Sequence, residues 1–268
     1  RRPALTMVKC ALDATLGIRM SAPGTTRPVA LVTGAARRLG AAIARRLHAA
    51  GHDLALHYRD SAAAMQALAA ELDAARPGSV LGLQAELADA DALPGLVDAA
   101  VARFGRLDVL VNNASAFTPT PLGTITVADW DTQFSTNARA PLLLAQAAAP
   151  HLRATRGAIV NLVDLYAERP LRDHAVYCMS KAALVAGTRA LALELAPEVR
   201  VNAIAPGAIL WPEEGKPEAA KAAMLARTPL ARVGSEHDIA DAVLWLVQGA
   251  GYTTGHVLPV DGGRLLPG

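Results

Sequence analysis

The sequence predicts a single doubly wound α/β domain, a mostly parallel seven-stranded sheet with helices on both faces. Three observations predict it. Short, continuously apolar runs alternate with longer helical patterns from Pro28 to Val260, and such runs read as strands buried on both faces of a parallel sheet. A Gly-rich turn, Thr33-Gly34-Ala35-Ala36-Arg37-Arg38-Leu39-Gly40, joins the first run directly to the first helical pattern. The chain has 268 residues, 52% of them hydrophobic and 19% charged, which suits one large buried core and not a disordered chain.

Composition narrows the function. The formal net charge is +2 with both signs interspersed, so no Lys/Arg block marks a nucleic-acid or membrane surface. Two cysteines, Cys10 and Cys178, without histidine clusters argue against a disulfide framework or a metal site and fit a reducing, cytoplasmic setting. No apolar run reaches the roughly 18 uncharged residues of a membrane span. Residues 1–27 read as a flexible N-terminal extension. Their apolar stretch is broken by Lys9, Asp13 and Arg19, which excludes a signal peptide. Residues 28–268 form the domain.

Pro28 to Thr33 is the first strand, and the helix from Ile43 to Ala50 closes at Gly51. Gly34 permits the tight turn between them and Gly40 permits close packing. Strand, Gly-rich turn and helix together bring backbone N–H groups to a pyrophosphate. The second strand, Asp53 to Tyr58, ends in Arg59-Asp60-Ser61. Arg59, with Arg37 from the turn, points to a 2′-phosphate and hence NADPH, while the carboxylate of Asp60 points the other way. Ser61 to Ala75 is a helix. Val80 to Ala85 is the third strand, followed by Glu86-Leu87, and Asp89 to Phe104 the next helix. A fourth strand, Leu107 to Val111, runs into Asn112-Asn113-Ala114-Ser115. One helix is expected over about Thr132 to Arg153, kinked at Pro141. Gly157 to Val163 is the fifth strand, with Asp164 at its carboxyl end, where open α/β sheets bind ligands. A helix follows to about Ala196, then a sixth strand, Val199 to Ile204, ending at Pro206-Gly207. Residues 208–230 read as a lid with a short helix. Ser235 caps a helix to Val247, and Val257 to Val260 is the last strand.

Tyr177 and Lys181 lie four apart on one helix face. An ammonium beside a phenol favours the phenolate, so the tyrosine pKa is expected to fall below its usual value. Tyr177 then becomes a proton donor and acceptor beside a hydride carrier.

Taken together, Thr-Gly-x-x-x-x-x-Gly, Asn-Asn-Ala, Asn137, Tyr-x-x-x-Lys and Pro206-Gly207 resemble the short-chain dehydrogenase/reductase family over about Pro28 to Gly263. Two departures stand out. Arg38 occupies the place of the usual middle glycine, and Asp164 that of the usual serine 13 residues before the tyrosine. With Leu56-His57-Tyr58 and the run Asn113 to Leu122, these resemble the pteridine reductase branch. The resemblance implies a Rossmann-type fold, NADPH as hydride donor to a C=N bond of a dihydropterin, and a homotetramer. It implies Asp164, Tyr177, Lys181 and Asn137 as catalytic residues, with Asn137 shaping a water path. It places cofactor contacts at Gly34, Arg37, Arg38, Leu39, Gly40, Tyr58, Arg59, Ser61, Glu86, Leu87, Asn113, Ala114, Ser115, Tyr177, Lys181, Pro206 and Gly207. Arg38, Ser115, Phe117, Asp164 and Tyr177 would touch substrate, with Phe117 as the plate under the pterin. Some members place a C-terminal arginine in a neighbouring subunit's site, a role not assigned to Arg264.

Plainer roles compete with these. Asp164 could be a structural cap, Phe117 core, Arg38 a surface ion-pair residue, and Trp211 lid packing. His57 and His174 read as structural or solvated. At the level of function, a carbonyl reductase of 3-oxoacyl thioesters or sugars and a non-catalytic NADPH-binding sensor stand beside the pteridine reductase.

Overall fold

The computed structural model describes residues 26–209 and 218–266. The N-terminal extension as far as residue 25, Trp211 and part of the expected lid lie outside the described residues. Seven strands form one sheet in the order β3-β2-β1-β4-β5-β6-β7. They are β1 (Val29–Val32), β2 (Asp53–Tyr58), β3 (Val80–Gln84), β4 (Val109–Asn112), β5 (Ala158–Leu162), β6 (Arg200–Pro206) and β7 (Val257–Val260). All six neighbouring pairs are parallel, so the sheet is parallel throughout rather than mostly so. The chain leaves β1 toward β2 and β3, then returns to β4 on the other side. This reversal opens a crevice at the carboxyl ends of β1 and β4, the place where such sheets bind ligands.

Successive residues of a strand face opposite sides of the sheet. In β1, Ala30 and Val32 join one core cluster, with residues of α1 (Arg38–Ala49), α2 (Ala62–Ala75) and α8 (Glu236–Leu244). Val29 and Leu31 join the other, with residues of α3 (Leu93–Phe104), α5 (Ala140–Thr155) and α6 (Ala175–Leu195). Burial on both faces is why the strands read as continuous apolar runs. The 21-residue α6 is long and apolar enough to cross a bilayer by those criteria alone. Here it is a core helix packed against β6.

The helix expected over about Thr132 to Arg153 is divided. α4 (Val127–Phe134) starts earlier, at a capping box in which the Thr126 hydroxyl accepts from the Asp129 N–H and Asp129 accepts from the Thr126 N–H. A π-helical turn, Ser135–Arg139, separates it from α5. Pro141 stands in the first turn of α5, directly after the π turn. Ser235 caps α8 in a second capping box with Asp238, and the helix passes into another π turn, Trp245–Gly249, beyond Leu244. The described part of the expected lid contains α7 (Glu218–Leu225).

Leu110 on β4 is fully buried, and Leu122 is exposed. Leu110→Ala is expected to cost about 3 kcal/mol of stability, and Leu122→Ala less than about 0.5 kcal/mol. Urea unfolding of both variants checks this.

Candidate active site

The nucleotide turn follows from its glycines. Gly34 has φ +62°, and a Cβ there would come to 3.0 Å from the Ala114 Cα. At Gly40 a Cβ would lie 2.1 Å from the Gly34 carbonyl oxygen and 2.7 Å from Asn113 Nδ2. The close approach at Gly40 is therefore to the turn itself and to Asn113. Arg38 adopts φ +52°, a left-handed conformation costing roughly 1–2 kcal/mol in a residue with a Cβ. It keeps the backbone form a glycine would take and adds a guanidinium. No side chain caps the N-terminus of α1, and no acidic residue stands in its first turn. Its N–H donors therefore suit an anion such as a pyrophosphate.

Three residues lock the turn. The Thr33 hydroxyl accepts from the Asn113 and Ala114 N–H groups at 3.0 and 3.1 Å. Asn113 Nδ2 donates to the Thr33 and Gly34 carbonyls. His57, read from sequence as merely structural or solvated, joins three loops. Its Nδ1 accepts from Gly34 N–H at 3.2 Å, its Nε2 donates to the Ala85 carbonyl at 3.1 Å, and its own carbonyl accepts from Ala35 N–H. Burial holds its pKa down to about 4, which keeps the ring neutral and fixes this tautomer.

At the adenosine end the expected contacts divide. Arg59 and Ser61 lie at the β2 exit, but Arg59 Nε bonds Asp60 Oδ2 at 2.6 Å and its Nη1 lies 3.8 Å from Glu86 Oε2. Tyr58 and Leu87 have their side chains in the hydrophobic core. Leu39 also packs against the core. Gly207 leaves β6 so close to β7 that a Cβ would sit 2.5 Å from the Asp261 Cα.

At the exit of β5, Asp164 Oδ2 accepts from the Tyr177 hydroxyl at 2.7 Å, and Oδ1 from Tyr166 N–H at 2.9 Å. Asp164 thus caps the short turn Leu165–Ala167 and engages the tyrosine as well. Burial raises its pKa, and the bonds to Tyr166 and Tyr177 and the charges of Lys181 and Arg264 oppose this. The fall expected for Tyr177 does not occur. Burial and the adjacent Asp164 carboxylate push its pKa up, against a smaller effect of a hydrogen bond with Ser115. Lys181 is buried, with Nζ donating to the Leu162 carbonyl at 2.8 Å and lying 5.9 Å from the Tyr177 ring centre. Burial lowers it to about 8, against the opposing charge of Asp164.

Asn137 is turned inward by the π turn. Its Oδ1 accepts from Ala116 N–H at 2.8 Å and from Ser115 Oγ at 3.2 Å. Its Nδ2 donates to the Ala116 carbonyl and to Ser180 Oγ, both at 2.9 Å. Two donors and two lone pairs of its side chain are thereby used by protein, so Asn137 braces the loop against α6. Ser180 in turn donates to the Tyr177 carbonyl. Phe117 is half exposed, stacked on His174 at 4.7 Å and edge-on to Tyr177 at 4.6 Å. Sequence reasoning missed Ser180 here. Its i+3 spacing from Tyr177 was the available signal.

A dinucleotide turn at the sheet's switch point, with a Tyr–Lys pair at the adjoining strand exit, defines an oxidoreductase of the short-chain dehydrogenase/reductase family, and the chain belongs to it. The family model described as "Enoyl-(Acyl carrier protein) reductase" matches residues 34–264. Pteridine reductase 1 of Leishmania tarentolae is 39% identical, over 90% of this chain and 97% of its own. A 3-oxoacyl-[acyl-carrier-protein] reductase of Staphylococcus aureus is 37% identical, over 88% and 98%. A putative ketoacyl reductase of granaticin polyketide synthesis in Streptomyces violaceoruber is 38% identical, over 92% and 100%. Homologues of this family use a nicotinamide cofactor.

His57 yields a stability prediction. Its folded pKa of about 4 lies below its ordinary 6.5. Its contribution is therefore complete above pH 6.5 and is lost as pH falls through 4, about 3 kcal/mol in all. Urea midpoints from pH 7.5 to 4 are expected to decline less in His57→Gln than in the unaltered protein.

Proposed function

We propose that this chain is an NADPH-dependent pteridine reductase that reduces a C=N bond of a dihydropterin to the tetrahydro form. One observation carries the reading: a buried carboxylate, Asp164, accepts the Tyr177 hydroxyl where a serine would serve a ketone. An ionised carboxylate only accepts hydrogen bonds. It repels a carbonyl oxygen and welcomes the ring and amino N–H groups of a pterin. Tyr177 keeps its proton beside that charge, ready for a ring nitrogen, and Asp164 with ordered water replenishes it. NADPH, when bound, supplies the hydride. Lys181 would bind the nicotinamide ribose, and the open N-terminus of α1 with Arg37 and Arg38 would take the phosphates. Phe117 offers the exposed face on which a flat ring stacks, with Ser115 and Arg38 at its polar edge. The Leishmania tarentolae relative bears the name of this activity.

Arg59 and Ser61 serve the 2′-phosphate, and Asp60 and Glu86 compete for Arg59. Asp60→Ser is therefore expected to raise the preference for NADPH over NADH several-fold, about 1 kcal/mol, as ratios of kcat/KM show. The domain acts in the cytoplasm as a homotetramer; sedimentation at micromolar concentration tests the assembly, and a monomer would refute it.

A carbonyl reductase is the second reading, favoured by the Staphylococcus aureus relative. Cofactor oxidation with dihydrobiopterin, dihydromonapterin and an acetoacetyl thioester separates the two. Turnover of a pterin, lowered at least about a hundredfold in Tyr177→Phe and strongly in Asp164→Ala, supports the first. Turnover of the thioester alone, surviving in Asp164→Ser, supports the second.

A further inference from the structure

We propose that His174 is a positioning residue for Phe117, and that the pair sets the site's preference for a flat ring over a flexible acyl chain. This rests on reading Phe117 and Tyr177 as lining the substrate site.

His174 holds the N-cap position of α6 but makes no capping bond. Its imidazole is turned elsewhere. Nδ1 donates to the Arg172 carbonyl at 2.8 Å, since a carbonyl oxygen can only accept. The ring lies nearly parallel to Phe117, with 20° between the planes and 4.7 Å between the centres. Phe117 in turn meets the Tyr177 ring at 87° and 4.6 Å. One end of α6 therefore fixes Phe117 twice, by His174 against a face and by Tyr177 at a right angle.

The turn that carries His174 is itself anchored. Leu171 N–H donates to Cys178 Sγ at 3.3 Å, and His174 N–H donates to the Leu171 carbonyl. Asp173 takes φ +61°, a left-handed form that aspartate tolerates better than most residues. Its carbonyl accepts from Thr120 N–H. Thr120 is buried and stands three residues after Phe117 on the same loop. Its hydroxyl faces Val176 N–H at 3.4 Å, the first-turn donor that an N-cap side chain would otherwise take. The loop of Phe117 thus joins the start of α6 backbone to backbone and stands in for the missing cap. His174 is left to stack.

The consequence is selectivity. Phe117 is half exposed, and an exposed side chain on a loop pays rotamer entropy when a ligand fixes it. His174 fixes it beforehand, so a flat ring meets a plate already in place. A flexible acyl chain has no face to match and gains nothing from the plate.

Two measurements on the full chain test this. The first needs no substrate. The chain has three phenylalanines, so ring-labelled phenylalanine gives three sets of NMR signals, and Phe117→Leu identifies the set from Phe117. Protons over an imidazole face are shifted upfield. His174→Gln is expected to move the Phe117 signal downfield, and His174→Phe to leave it upfield. The second is steady-state kinetics with NADPH. In His174→Gln the KM for dihydrobiopterin is expected to rise about three- to tenfold, the worth of one aromatic pair, while kcat falls less than about twofold. His174→Phe should restore that KM, and the KM for an acetoacetyl thioester should not change in either variant. An unmoved Phe117 signal in His174→Gln, an unmoved pterin KM, or an equal rise for both substrates overturns the proposal. A moved signal with turnover of the thioester alone, at unchanged KM, supports the placement of His174 and refutes the pteridine reductase reading instead.

Discussion

A carboxylate withdrawn from water needs donors, and the neighbourhood of Asp164 is arranged to provide them. The Tyr177 hydroxyl and the Tyr166 N–H each donate to one of its oxygens, and Lys181 and Arg264 supply positive charge. The same bond governs the tyrosine. Burial first, and the Asp164 carboxylate after it, push the phenol's pKa up, so Tyr177 holds its proton. One substitution in the usual pattern thus changes both the hydrogen-bonding polarity of the pocket and the acidity of its proton donor.

The fold delivers these groups through buried polar contacts between strand ends. Asn112 on β4 donates to Asn161 on β5 at 2.8 Å, and Asn161 donates to Thr188 on α6 at 2.9 Å. Buried amides of this kind are costly unless paired, so they fix the register of sheet against helix near Tyr177. Asn137 does the same for the loop bearing Ser115 and Phe117. His57 does it for the nucleotide turn. Each loop of the site is tied to an element of the rigid core, which is how a catalytic geometry is held within fractions of an ångström.

Much of this was legible in the chain. The alternation of apolar runs and helical patterns gave seven strands near their observed places, because parallel strands buried on both faces leave a simple signature. The Ser235 cap and the Gly34–Gly40 turn were readable because each depends on local backbone geometry. The division of the helix around Asn137 was not, since a π turn leaves no periodic mark and Thr126 lies outside the apolar pattern. The sign of the Tyr177 shift was misjudged for another reason. Tyr177 and Lys181 are neighbours in sequence, whereas Asp164 meets the tyrosine only through the crossing of β5 and α6. The C-terminal segment could not be placed from sequence, because Arg169, 95 residues before Arg264, holds its backbone carbonyls.

The most direct test of the account is the protonation state of Tyr177 itself, read as phenolate absorbance in an ultraviolet titration of the protein minus that of Tyr177→Phe. The account predicts no phenolate from Tyr177 up to about pH 10, the ordinary tyrosine value, and its appearance at lower pH in Asp164→Ser. A phenolate forming near neutral pH in the unaltered protein would contradict it, and would return the site to the chemistry of a ketone reductase.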